Sequence, residues 1–237
     1  PKVHHTLVSP DQVEELKSII RSSDITISQL VRTAWASASS FRGTDMRGGA
    51  NGARIRLEPQ KSWYVNEPTE LSGVLTKLKK ILDDFNGKHL DDTRISFADL
   101  IILGGYAAIE KAASSAGFSL HLPFTIGRTD TTQELTDISS FAVLEPMSCG
   151  FRNYINPKTL GSLPEQLVEQ SYLLTLTVTE MTALVGGMRV LGANFGGSKV
   201  GRLTNSFEML NNDFFVNLLD LNTVWKASNE EDNIFEG

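Results

Sequence analysis

Apolar and small residues recur at intervals of three and four through Ile27, Leu30, Val31, Ala34, Trp35, Ala38 and Phe41, a spacing that predicts a helix with one buried face. The helix runs into a Gly- and Arg-rich stretch that ends near Leu57, with Gly43, Gly48, Gly49 and Gly52 supplying backbone freedom. Before it, Ser9, Pro10 and Gln12 read as an N-cap, a first-turn proline and the closing residue of a capping box, followed by a stripe of Val13, Leu16, Ile19 and Ile20. After a loop through Trp63, Asn66 and Pro68, the same period returns in Leu71, Val74, Leu75, Leu78, Ile81, Leu82 and Phe85, with Lys77, Lys79 and Lys80 on the solvated face and Gly87 as a stop.

A further cap at Ser96–Asp99 opens an apolar helix running to Gly117, and Ser119–Phe124 alternates as a short extended piece would. Residues 128–164 are rich in Thr, Ser, Gly and Pro and read as loops with at most short helices. Thr177 and Glu180 form a last capping pair before Met181, Leu184, Val185, Met188 and Leu191, with Gly192 as terminator, and Asp213–Leu221 is a short helix or extended segment. Nearly all the strong signals are helical, so the expected class is mainly α, in one large domain.

Composition narrows the function. The 237 residues are 41% apolar and 21% charged, enough to bury a sizeable core. A net charge of −6, from 22 Lys+Arg against 28 Asp+Glu, gives no basic footprint for nucleic acid and no polybasic membrane patch. The longest apolar run, Leu100–Ile109, falls short of the ~20 residues that span a bilayer. The chain therefore reads as soluble. The single cysteine, Cys149, reads as a buried inert thiol and fits a reducing compartment, the cytoplasm being the expectation. The first residue is Pro1 rather than Met, and the acidic NEEDNIFEG closes at Gly237, so part of a longer protein is expected.

Candidate chemistry is sparse. Of the four histidines, His4, His5, His89 and His121, none has Cys, His or carboxylate neighbours at metal spacing, and His121 reads as structural. The run GGANG lacks the Lys of a phosphate loop, and no G-x-S-x-G elbow occurs. Arg32, Trp35 and Ala36 do share a patch on the first periodic helix.

The segments VRTAWASASSFRG, RGGANGARIRLEPQKSWYVN, SFADLIILGGYAAIE, LPFTIGR and TEMTALVGGMRVLG, in that order, resemble the C-terminal half of bacterial-type catalase-peroxidases. That half is similar to a second copy of the haem domain of the plant, fungal and bacterial peroxidase superfamily. The resemblance covers about Thr26 to Trp225, and it implies a haem-peroxidase-like helical fold for residues 1–237, cut short at its C-terminal end. About residues 1–24 are expected to be an opening helix and linker from a preceding domain.

The resemblance also assigns positions. Arg32 and Trp35 match the arginine and tryptophan of the haem copy's distal motif R-x-A-W-H, but Ala36 stands in place of the distal histidine. Asn66 matches the asparagine that orients that histidine, and Arg189 stands in place of the iron-binding histidine. Of the family's cross-linked Trp, Tyr and Met, Trp35 is kept, Tyr154 is a weak match and Leu174 replaces the methionine. Alanine cannot move a proton between peroxide oxygens, and arginine has no lone pair to offer iron.

The resemblance thus implies a domain with no catalytic residues, haem b or metal of its own. Arg32, Trp35, Ala36, Asn66 and Arg189 would be vestiges, and Gln133, Glu134, Asp137 or Glu145 candidate partners for Arg189. It would support an N-terminal haem domain of the same protein, in a homodimer, with no nucleic-acid or membrane partner. Two alternatives remain open. One is a peroxidase that holds haem through His121, Met188 or Tyr154. The other is a module that binds a small anion among Arg32, Trp35 and Arg189.

Overall fold

In a computed structural model, residues 3–89, 91–156, 159, 161–228 and 234–237 are described, so most of the acidic stretch near the C-terminus lies outside the described residues. Helix α1 (Pro10–Ser22) begins with the expected capping box between Ser9 and Gln12, and α2 (Ile27–Ala38) with a second box between Thr26 and Gln29. These side chains satisfy amide groups that the first helical turn leaves without partners. Helix α3 (Pro68–Lys88) starts on a proline and passes through Gly87 before ending, and α4 (Phe97–Ser115) is capped by Ser96.

Helices α1 to α4 build the main core, which includes Leu16, Ile20, Leu30, Leu78, Phe85, Leu100 and Leu103. Helix α2 lies along α4 at close range because small residues face each other. A methyl group built on Gly105 would sit 2.6 Å from the Cβ of Ala34. The buried side of α2 departs from the expected stripe: Ala38 and Phe41 are exposed, whereas Thr33, Ala36, Ser37 and Ser40 are buried. A helix contacted on several sides buries small polar residues as readily as large apolar ones, and periodicity marks only the larger ones.

Lys17 is another departure. It occupies the apolar register of α1 between Leu16 and Ile20 and is fully buried, with Nζ 2.7 Å from Glu110 of α4 and 3.0 Å from Glu14. Burial alone would lower its pKa, but the hydrogen bonds that it donates to Glu110 and Glu14 outweigh that and raise it above the usual lysine value.

The remaining chain wraps this core. Among the described residues strand content is confined to two-residue pairs: β1 (Thr6–Leu7) runs parallel to β2 (Thr93–Arg94), and β3 (Ser148–Cys149) antiparallel to β4 (Tyr154–Ile155). A third pair joins β5 (Lys226–Ala227) to β6 (Phe235–Glu236). Residues 119–124 join no strand pair. Helix α5 (Ile138–Ala142) is the short helix expected among the loops.

Helix α6 (Leu163–Leu173), by contrast, fills what reads as the end of a loop and the start of an unassigned run. Its signal was present: Ser162 and Glu165 form a capping box around Pro164, the same grammar as α1. Helix α7 (Val178–Val190) follows at a 110° bend, closes on Gly192 in the left-handed region, and receives Phe214 and Phe215 of α8 (Asp213–Leu218) against Gly186. Among the described residues no single helix is long and apolar enough to cross a membrane.

Candidate functional site

Helix α2 fixes one wall of the site. With 3.6 residues per turn, Arg32 and Ala36 stack one turn apart and Trp35 stands beside them. Arg32 is largely buried and bridges to two carboxylates, with Nη1 2.5 Å from Glu67 and Nη2 on Glu70. Both carboxylates are themselves held. Gln29 Nε2 donates to Glu70 at 3.1 Å, and the amide of Gly196 donates to Glu67 at 3.2 Å. Only Nε of Arg32 is left without a partner. An acidic pair at the start of α3, facing the one charged residue of α2, is a signal that reading for period alone overlooks.

The opposite wall is the end of α7. Arg189 is buried, and its Nη1 and Nη2 donate to the carbonyls of Phe151 at 2.9 Å and Gly150 at 2.7 Å. The partners are thus main-chain carbonyls, not Gln133, Glu134, Asp137 or Glu145. The reason lies in the path of the chain: the loop after β3 makes a 3-10 turn at Gly150–Arg152 directly under the guanidinium. Burial pulls the pKa of Arg189 below the ordinary arginine value, partly opposed by Cys149. Cys149 is buried and free, with Gln170 Nε2 donating to its Sγ at 3.7 Å.

The turn at Gly150–Arg152 occupies the space between the two walls. Phe151 is fully buried, and its ring meets Trp35 edge to face, with centroids 5.4 Å apart at 64°. Phe151 therefore touches α2 with its ring and Arg189 of α7 with its carbonyl. Arg152, also buried, points to the other side of α2: its Nη1 donates at 3.4 Å to the Val65 carbonyl and to Oδ1 of Asn66. Asn66 uses its amide nitrogen on the Gln60 carbonyl at 2.8 Å, so it faces an arginine rather than an imidazole. Neither Phe151 nor Arg152 carries a sequence signal, because the turn has no period and no cap.

The other residues singled out from sequence are dispersed. Tyr154 is buried, and its ring packs edge to face on Phe195 at 4.9 Å, while Leu174 caps the end of α6. Burial raises the Tyr154 pKa, which works against the phenolate form, and the nearby Asn156 side chain offsets part of the rise. Met188 is buried in the main core, and His121 lies on the surface 3.6 Å from Glu14, away from both walls. The glycine-rich stretch folds back on α2: Gly49 donates to Ser40 Oγ at 3.1 Å, and any Cβ on Gly48 would collide with the Ser40 carbonyl. Among the described residues no three His, Cys, Asp or Glu side chains are grouped as metal ligands.

A family model described as Peroxidase matches residues 13–232. Catalase-peroxidases of Mycobacterium sp. (strain KMS), Clostridium botulinum and Mesorhizobium japonicum are 58%, 55% and 56% identical over all 237 residues. The chain spans 32% of the length of each of these relatives.

Proposed function

We propose, from the premise that this chain belongs to the peroxidase family, that it is the haem-free C-terminal domain of a catalase-peroxidase and acts as a scaffold. The observation that carries this reading is the Gly150–Arg152 turn between α2 and α7. A haem there would need an axial ligand such as imidazole and an open slot for the macrocycle. The residues present do not fit one. Arg189 offers no lone pair, its two terminal nitrogens are held by the Phe151 and Gly150 carbonyls, and Phe151 packs directly on Trp35. Ala36 offers no base on the other wall.

In this reading the chemistry belongs to a separate N-terminal haem domain, which decomposes hydrogen peroxide and oxidises donors. The present domain buries surface against it and biases it toward its active arrangement, within a homodimer of the whole protein. Exposed apolar side chains support a covered surface. Val168, Tyr172, Leu173 and Val178 stand out at the bend between α6 and α7, with Tyr172 82% exposed. Leu219, Leu221 and Val224 do the same beyond α8. Monomeric surfaces rarely leave such groups uncovered in clusters.

The test is to mix the separately expressed haem domain with this chain and follow oxygen release from hydrogen peroxide. The mixture should exceed the haem domain alone. Equal rates, with no association in a sedimentation run, would contradict the scaffold role.

A further inference from the structure

Helix α6 turns an apolar row to the solvent. Its inner side is packed: an added Cβ on Gly150 would meet Leu167 Cδ1 at 2.7 Å, and Ser171 is buried with its hydroxyl donating to the Leu167 carbonyl. One step round the helix, Pro164, Val168 and Tyr172 recur every four residues and so share a face. Val168 is 57% exposed and Tyr172 82%. Together with Glu165 and Glu169 they line an open groove of about 490 Å³. Leu173 and Val178, at the bend to α7, are exposed as well.

The charges at this face have one sign. From Gly161 to Met188 the chain carries Glu165, Glu169 and Glu180 and no lysine, arginine or histidine. Glu165 and Glu169 stand one turn apart, about 6 Å along the axis, on the outer edge of the apolar row. The first cation after them, Arg189, is buried behind the inner side of α6, on the carbonyls of Phe151 and Gly150. All three carboxylates are exposed, so water satisfies them as they stand. Their effect is on which partner the apolar row accepts.

The geometry points to a seat for one amphipathic helix with a basic flank. Its apolar stripe would lie over Val168 and Tyr172, and its lysines or arginines, spaced one turn apart, would face Glu165 and Glu169. Clustered exposed apolar side chains mark binding surfaces, and a groove along a helix accepts the apolar face of another. A second copy of α6 laid on the first would bring carboxylates against carboxylates, which charge opposes. The chain spans 32% of the length of its relatives, and the rest of such a protein is the source that fits. This inference rests on the scaffold reading for the statement that the bend is covered, and it names what covers it.

Two synthetic helical peptides of about 14 residues, roughly four turns, are the probes. Both carry the same leucine stripe, edged by lysines in one and by glutamates in the other. Each is fluorescently labelled and titrated with the full chain, and its anisotropy is followed. The lysine peptide should bind saturably, one per chain, and about ten-fold more tightly than the glutamate peptide. Glu169→Lys should reverse that preference, and Tyr172→Ser should weaken both peptides. Both positions are exposed, and far-UV circular dichroism checks that the variants keep their helices. The absence of saturable binding, equal affinities for the two peptides, or a preference unchanged in Glu169→Lys overturns the proposal. So does a dimer of the chain in sedimentation that Tyr172→Ser abolishes, which makes a second copy the occupant. No haem domain takes part, so a negative result here leaves the scaffold reading to its own mixing experiment.

Discussion

Arg189 acts as a clamp on the Gly150–Arg152 turn. In Arg189→Leu the Phe151 carbonyl loses the side-chain donor it has in the folded chain, while the Gly150 carbonyl keeps the amide of Asn153 at 3.2 Å. Leaving one buried carbonyl unmet costs about 1–3 kcal/mol. Urea unfolding should therefore show a lower midpoint with an unchanged slope, since the exposed surface does not change. That Arg189 replaces a ligand was legible only by comparison with a family motif. What Arg189 does instead was not, because its partners are backbone atoms 38 and 39 residues away in a segment without period. Asn66 and Arg152 make the same point: the asparagine was found by its match to the family motif, its partner only in three dimensions.

At the scale of elements, capping residues proved the most legible feature, since Ser9, Ser96 and Thr177 each start a helix at the expected place. Helix α6 escaped notice despite equal capping grammar, because its apolar residues are few and largely exposed, so its period is weak. The α1–α4 contact hid for the opposite reason. Lys17 sits in an apolar stripe and has Glu110, 93 residues away, as its counter-charge.

Lys17→Met leaves Glu110 buried with only Arg21 at 3.4 Å and the Leu122 amide at 3.0 Å, and should cost about 3–5 kcal/mol. Its pH dependence has a definite sign. The folded pKa of Lys17 is raised, so its contribution is fully present below the unfolded value of about 10.4 and is lost as pH rises through the folded value. The Tm difference between wild type and Lys17→Met should stay constant from neutral pH to about 10 and narrow above that.

For the whole molecule, the helical class and the family were both readable from the chain, since class follows from period and capping and the family from several ordered motifs. The plug between α2 and α7 was not readable, although the two replacements at Ala36 and Arg189 made a vacated site the expectation. Family membership by itself says nothing about whether a domain works; the side chains between the two walls do. In the reading proposed above, a peroxidase-family chain covering 32% of its relatives' length, with Phe151 packed against Trp35, would hold a neighbour in shape rather than turn over peroxide.

The most direct measurement is a titration of the chain with haemin, followed by its visible spectrum. The absence of an axial imidazole and the filled slot predict only a broad, non-saturating absorbance with no defined stoichiometry. A sharp Soret band that saturates at one haem per chain would contradict the account.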